Sequence, residues 1–454
     1  MEVYTAIRRA PMPIDGLQMD AQAVPRYVPR EIERSAIRGP VWPHVLMALF
    51  GAGWAVSFDF GVRIYGAEIV SILGLLLIRW RPVFIRYPML RRILAAYSLW
   101  VLAIVISDIV NGSALFDSAR NMATPIIGGA SLVCVLSALS RNPSALMTFL
   151  AATAIAKGIL GEPAYGDAFA DLSMSWESIQ QDTNFFKVRI DPFLTPALLL
   201  LACWIGRRNL LRAAIVFAVA SIGYFALDSR SSGFVFFLSA LTLAAFHTGF
   251  RPRPAQIVVA GAVASLIGYV GFVAYVNHTL VYNPYGHNGK QLQRMENPYN
   301  PLELLLEGRS QWTVIPTAFA ERPLFGWGSW AEDEDGRFTY MLLKQIDEID
   351  YNYFELKPGR FYMPAHSLIG ATVVWSGLLG FVAMAWFLRS VWTMSLRLSG
   401  IVSPLLPAVV ALLMLLLLHY FFSPPMVVRL NYPVALAALI ALTRDAARAY
   451  RPTA

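Results

Sequence analysis

The sequence predicts an all-α membrane protein of about twelve transmembrane helices with one large, partly helical periplasmic loop, and three observations predict it. Of 454 residues 57% are hydrophobic and 15% charged, where a soluble domain of this size carries about 25% charge. Apolar runs recur along the chain, and a helix needs roughly 20 apolar residues at ~1.5 Å rise to cross ~30 Å of hydrocarbon. Arginines gather in alternate connectors between those runs, as they do where charge sets membrane orientation.

Taken in order, residues 1–41 carry Arg8, Arg9, Arg26, Arg30, Arg34 and Arg38 among prolines and acids. They lack the hydrophobic core of a signal peptide and read as a cytoplasmic tail. Apolar segments follow near 42–58, 64–79, 93–108, 121–139, 145–160, 192–206, 213–227, 233–249 and 255–276. These form a first block, 42–276, interrupted by an outer loop near 161–191. Residues 277–365 form the large loop; segments near 366–388, 402–422 and 431–444 make the second block, 366–444, and 445–454 is a second cytoplasmic tail. With the N-terminus inside, Arg79, Arg81, Arg86, Arg91, Arg92, Arg141, Arg207, Arg208, Arg212, Arg251, Arg253, Arg389 and Arg397 all fall inside, as do Arg444, Arg448 and Arg451. Nearly every cytoplasmic connector is then basic.

The net charge of +8 sits in these connectors and is assigned to topology, not to nucleic acid. Cys134 and Cys203, the only cysteines, lie inside apolar runs, which excludes a disulfide framework and a thiolate metal site. The loop 277–365 is far longer than an ordinary connector and is expected to carry function. Within it PLELLLEGRSQWTVIPTAFAE reads as two helices broken at Gly308, and RFTYMLLKQIDEID as a third. Tyr282, Tyr285, Tyr299, Trp312, Trp327, Trp330, Tyr340, Tyr351, Tyr353 and Tyr362 offer flat amphipathic surfaces for sugars or headgroups, or anchor the loop at the interface. The acidic run Glu332 to Asp335 reads as a solvated turn in preference to a cation site.

Three polar residues stand at the outer mouths of apolar helices, where leaving water is costly without a partner. Arg230, in LDSRSSGF, has Asp228 as a structural partner or an anionic substrate as a functional one. Arg309 lies in EGRSQWTVIPTAFAERPLFGWG, and His366 opens MPAHSLIGATVVWSGLLG. An unperturbed imidazole titrates near pH 6.5, so His366 is suited to exchange a proton at neutral pH. Arg429, Arg189 and Lys187 are weaker outer-side candidates; the ordinary role of Arg429 is a snorkelling interfacial cation. No P-loop, HExxH, GxSxG or metal-spaced cluster accompanies them, so no metal and no cofactor is expected.

The order SRSSGFVFFLSAL, GRSQWTVIPTAFAERPLFGWGSW, AHSLIGATVVWSGLLGF resembles the O-antigen ligase and O-antigen polymerase superfamily of bacterial envelope glycosyltransferases, over roughly residues 200 to 390. The departure is that Ser231 and Ser232 separate Arg230 from Gly233. The resemblance implies a multi-pass inner-membrane enzyme with a periplasmic active site, moving a glycan from undecaprenyl diphosphate to an acceptor hydroxyl without metal. Carried over residue by residue, it implies that Arg230 and Arg309 hold the diphosphate and that His366 orients or deprotonates the acceptor. Arg429, Arg189 and Trp312 join Arg230 and Arg309 as substrate-binding candidates.

A polymerase, extending a lipid-linked chain for exopolysaccharide, capsule or O-antigen, is the leading expectation. A ligase accepting on lipid A core or protein is the alternative, and a lipid-linked oligosaccharide transporter the reading from another class. Expected partners are the lipid-linked donor, the glycan acceptor, membrane lipids and a chain-length regulator.

Overall fold

In this computed structural model the described residues are 40–449, apart from 60–62, 79, 162–185, 187–189, 208, 228, 249–253, 283, 285–286, 308–310, 346–361, 364–366, 402 and 424. The expectations placed on the N-terminal tail, most of the loop near 161–191, Lys187, Arg189, Asp228, Arg309 and His366 lie outside the described residues.

The chain is mostly helical, and a helix occupies each apolar segment read from the sequence. The first block holds α1 (Trp42–Gly53), α2 (Gly66–Leu77), the short α3 (Arg81–Arg86), α4 (Pro88–Asn111), α5 (Leu115–Leu139), α6 (Ala145–Leu160), α7 (Asp191–Gly206), α8 (Leu210–Ala226), α9 (Arg230–His247) and α10 (Pro254–Tyr282). The large loop contributes α11 (His287–Arg294), α12 (Pro301–Glu307), α13 (Gln311–Glu321) and α14 (Arg337–Gln345). The second block is α15 (Leu368–Ser395), α16 (Leu406–Phe422) and α17 (Pro425–Ala449). Among the described residues, α4, α5 and the run Leu368–Gly400 that contains α15 are long and apolar enough to cross a membrane; α2, α6, α7, α8 and α16 are shorter apolar helices.

Helix ends follow local chemistry. Pro88 starts α4, where a missing N–H costs nothing, and Gly112 at φ +66° stops it in the left-handed conformation. Several helix ends lie a few residues from the sequence expectation, and two differences bear on the packing. α1 ends at Gly53, and the chain turns through an antiparallel pair, β1 (Ser57–Asp59) with β2 (Arg63–Tyr65). Gly53 lies so close to the next helix that a Cβ would sit 2.4 Å from the Ala67 nitrogen, so the helices meet backbone to backbone at that point. α11 was not anticipated: HNGKQLQR is almost wholly polar, and its one large apolar side chain, Leu292, is fully buried with Val276 and Met295.

The core between the helices is aromatic and aliphatic. Phe387 of α15 stacks on Tyr97 of α4 at 5.6 Å, on Tyr420 of α16 at 6.2 Å and on Tyr432 of α17 at 5.7 Å. Cys134 and Cys203 are buried free thiols that pack among neighbouring helices.

Helix ends that the arginine pattern assigns to one side lie against one another. On the side expected inside, the His44 ring bridges Thr148 Oγ1 at 2.7 Å and Asn142 Nδ2 at 2.9 Å, and Arg444 lies 4.5 Å over the Tyr87 ring. On the side expected outside, Arg429 donates to the Arg63 carbonyl at 3.0 Å, and Ser329 of the large loop bonds Asp108 at the end of α4.

Candidate functional site at the outer helix ends

Arg230 is the first residue of α9, and its Nη2 donates to Gln291 Oε1 of α11 at 2.5 Å. The helix start that carries it is held by a carboxylate. Asp191, in the first turn of α7, accepts from Thr195 Oγ1 at 2.6 Å and Tyr224 OH at 3.0 Å through one oxygen, and from Ser232 Oγ at 2.9 Å through the other. Ser232, one of the two serines that separate Arg230 from Gly233, therefore ties α9 to α7. Gly233 in turn lies flat on the Phe225 ring, where a Cβ would come within 3.2 Å.

The loop motif PLFGWGSW and the helix that follows His366 are joined through their backbones. α15 is broken at Gly377 (φ 59°, ψ −146°). In an unbroken helix the Leu378 N–H donates to the carbonyl of residue 374. Here it donates to the Pro323 carbonyl at 2.7 Å, while the Val374 carbonyl accepts from Trp327 N at 2.9 Å and the Trp375 carbonyl from Gly328 N at 3.0 Å. The loop is thus inserted between donors and acceptors that the helix has released, and the buried backbone groups stay paired. Such an approach requires glycines on both sides: a Cβ at Gly326 would sit 2.5 Å from the Val374 oxygen, and one at Gly377 2.5 Å from the Leu324 oxygen. Beneath this junction Val314, Ile315 and Ala318 of α13 pack on Ala371, Val374 and Trp375. At the start of α15, Ser367 caps the helix by accepting from Gly370 N at 2.8 Å.

The same loop is gripped from below by α4 and α5. Asp108 accepts from Ser329 N at 2.6 Å and Ser329 Oγ at 2.8 Å, and Asn121 Nδ2 donates to that Oγ at 2.8 Å. Asn111 Nδ2 donates to the Gly326 carbonyl at 3.3 Å, its Oδ1 accepts from Arg322 Nη1 at 2.8 Å, and Ser107 Oγ donates to the Trp375 carbonyl at 2.6 Å. None of Ser107, Asp108, Asn111 or Asn121 stood out in the sequence, because each is a single polar residue near the end of an apolar run.

The tryptophans of this loop are not open platforms. Arg322 covers Trp327 at 4.1 Å, and Phe338 meets its edge at 5.5 Å; Arg120 covers Trp330 at 3.6 Å, and Trp375 lies against it at 5.2 Å. Trp312 is half-buried against Phe422 at 6.3 Å. Arg429, only 4% exposed, faces Glu68 at 3.2 Å, a carboxylate of the chain itself that is 1% exposed. Asp333 of the acidic run is buried, not solvated, and accepts from Thr339 N and Oγ1 at 2.7 and 2.8 Å, which caps the first turn of α14, while Glu332, Glu334 and Asp335 are exposed.

Of the candidates, Arg230, Trp312 and Arg429 are described, while Arg309, two residues before α13, and His366, one before the cap of α15, are outside the described residues. Among the described residues no group of three or more His, Cys, Asp or Glu side chains is placed to hold a metal ion. Compared with known proteins, the chain matches no protein-family model, and no curated protein matches it at a significant level.

Proposed function

We propose that the chain is a multi-pass inner-membrane glycosyltransferase of the O-antigen polymerase and ligase type, acting as a polymerase on undecaprenyl diphosphate-linked glycan at the periplasmic face. The observation that carries this reading is the backbone exchange between Pro323–Gly328 and α15 across the break at Gly377. It joins the two motifs that flank Arg309 and His366, elements that the sequence separates by a long loop, and a site assembled from those motifs requires such a junction. The same-side contacts of the helix ends support the topology that puts Arg230, the large loop and the start of α15 on one face.

On this reading the bond from the anomeric carbon to the diphosphate breaks as the acceptor oxygen bonds that carbon. The proton of the acceptor hydroxyl passes to His366, and the electron pair leaves on the diphosphate. Arg230 and Arg309 stabilise the charge that develops there, where a partly desolvated setting makes preorganised cations worth more than in water. Gln291 accepts from Arg230 and so sets its direction before substrate arrives, while Asp191, through Ser232, holds the helix turn that carries it.

The test is a reconstituted transfer assay with purified protein, undecaprenyl diphosphate-linked repeat units and EDTA, comparing wild type with His366→Ala and Arg230→Ala. Ladders of longer lipid-linked glycan from wild type alone uphold the polymerase. Transfer that appears only when a lipid A core acceptor is supplied moves the assignment to ligase. Failure with every acceptor, together with movement of labelled lipid-linked glycan across proteoliposomes, moves it to a transporter.

A further inference from the structure

We propose that Asp108 is a positioning residue of this site, one that locks the Gly-Trp-Gly-Ser turn of the large loop onto the outer end of α4. The inference deepens the glycosyltransferase reading and, in its kinetic part, rests on it.

Asp108 is 7% exposed and stands four residues before the Gly112 cap, near the C-terminal end of α4. A carboxylate there meets the negative end of the helix dipole and the cost of burial together, and it persists only where strong donors compensate. Ser329 supplies both, one to each oxygen, at 2.6 and 2.8 Å. Hydrogen bonds to a charged acceptor are stronger than neutral ones, and this pair reads the serine backbone and side chain at once. Asn121 completes the arrangement from α5, so the serine hydroxyl donates to the carboxylate and accepts from the amide.

What the lock holds is a turn under strain. Trp330, the residue after Ser329, has φ +52°, a left-handed conformation that a bulky side chain adopts only when its surroundings dictate it. Its ring is fixed between Arg120 and Trp375. On the other side of Ser329, Gly328 fits where a Cβ would lie 2.3 Å from Ser113 Oγ. Ser329 is therefore the pin between two constrained neighbours, and Asp108 is what holds the pin. Through Trp327 and Gly328 the same turn fills the break in α15, and through α13 it continues toward Arg309. Freeing Ser329 lets both flanks of the site drift, and displacement of about 1 Å at a reacting group is enough to cost on the order of 100-fold in rate.

The experiment uses the full chain in nanodiscs and two variants, Asp108→Asn and the milder Ser329→Ala, with two readouts. Backbone hydrogen exchange is followed in a peptide covering 322–335 and, as a check on folding, in one within α5. Transfer kinetics are followed with the lipid-linked repeat unit. Asparagine keeps the shape of Asp108 but offers only one acceptor oxygen, so exchange in 322–335 is expected to rise about tenfold or more while α5 is unchanged. The kcat for transfer is expected to fall about 10- to 100-fold with KM within about threefold, the mark of misplacement as opposed to lost binding. Unchanged exchange in both variants overturns the lock, and faster exchange with unaltered kcat overturns the positioning role. Wild type that transfers glycan to no acceptor, with exchange still raised in the variants, retires the glycosyltransferase reading and the kinetic part together and leaves the lock standing.

Discussion

The middle of the helix bundle and the end that meets the large loop are held by different forces. Around Phe387 the helices meet through stacked rings and aliphatic side chains. At the loop end Asp108, Asn111, Asn121 and Ser107 hold the loop and the α15 break by hydrogen bonds aimed at backbone and hydroxyl groups. Packing is tolerant of direction and costly to remove; hydrogen bonds are modest in net energy and strict in direction. The bundle therefore sets stability and the loop end sets geometry, which is the division a site needs when it is built on a rigid scaffold and carried by loops.

The comparison is sharpened most by Phe387→Ala, which removes one ring from three stacking contacts and is expected to cost about 3–5 kcal/mol, read as a lowered unfolding midpoint in detergent. Glu68→Ala strands the buried Arg429 guanidinium and is expected to destabilise by about 3 kcal/mol, whereas replacing Glu68 and Arg429 together by apolar residues of similar volume recovers most of that loss. Gly377→Ala forces a side chain onto the Leu324 carbonyl at a positive φ and is expected to cost roughly 1–3 kcal/mol, seen as faster amide exchange at 323–328 with a smaller change in global unfolding. Asn111→Ala, which loses its bonds to Gly326 and Arg322, is expected to cost about 1 kcal/mol confined to the same loop. Arg337→Ala breaks an ion pair to Glu321 whose side chains are 52% and 33% exposed, and a change of less than about 1 kcal/mol in the unfolding midpoint is expected. A Phe387→Ala protein that keeps its midpoint, or an Asn111→Ala protein that unfolds globally, contradicts the division.

Much of the helix pattern was legible because lipid-length apolar runs and basic connectors are strong signals over many residues. The loop helices α12, α13 and α14 were readable from a different signal: PLELLLE, QWTVIPTAFAE and RFTYMLLKQ each repeat apolar residues at helical spacing. The early stop of α1 was not, since the run stays apolar through Val56, and the close approach of Gly53 to Ala67 across the turn is not visible in the sequence. Arg230 was readable as a charge among apolar residues, but its neighbours were not. Asp191 and Gln291 are distant in sequence and ordinary in type, and they matter only through the approach of α7, α9 and α11. Asp108 illustrates the limit best: its partner Ser329 lies 221 residues away, and no local pattern links them.

The break in α15 also bears on how the protein is made and how it can be rearranged. The Val374 carbonyl gains its Trp327 donor only when the loop has docked, the Trp375 carbonyl takes one donor from the loop and one from Ser107 of α4, and the loop docks against α4, one of the earlier helices to be synthesised. The finished helix is thus a product of assembly from three distant stretches of chain, and pairings of such long range are slow to form. The large loop, although it looks like a self-contained insert between two membrane blocks, is not a cassette. A chimera that exchanges it for the loop of another protein must carry along the first turns of α15 and the loop-facing ends of α4 and α5, or it will leave a helix without the partners that close its ladder.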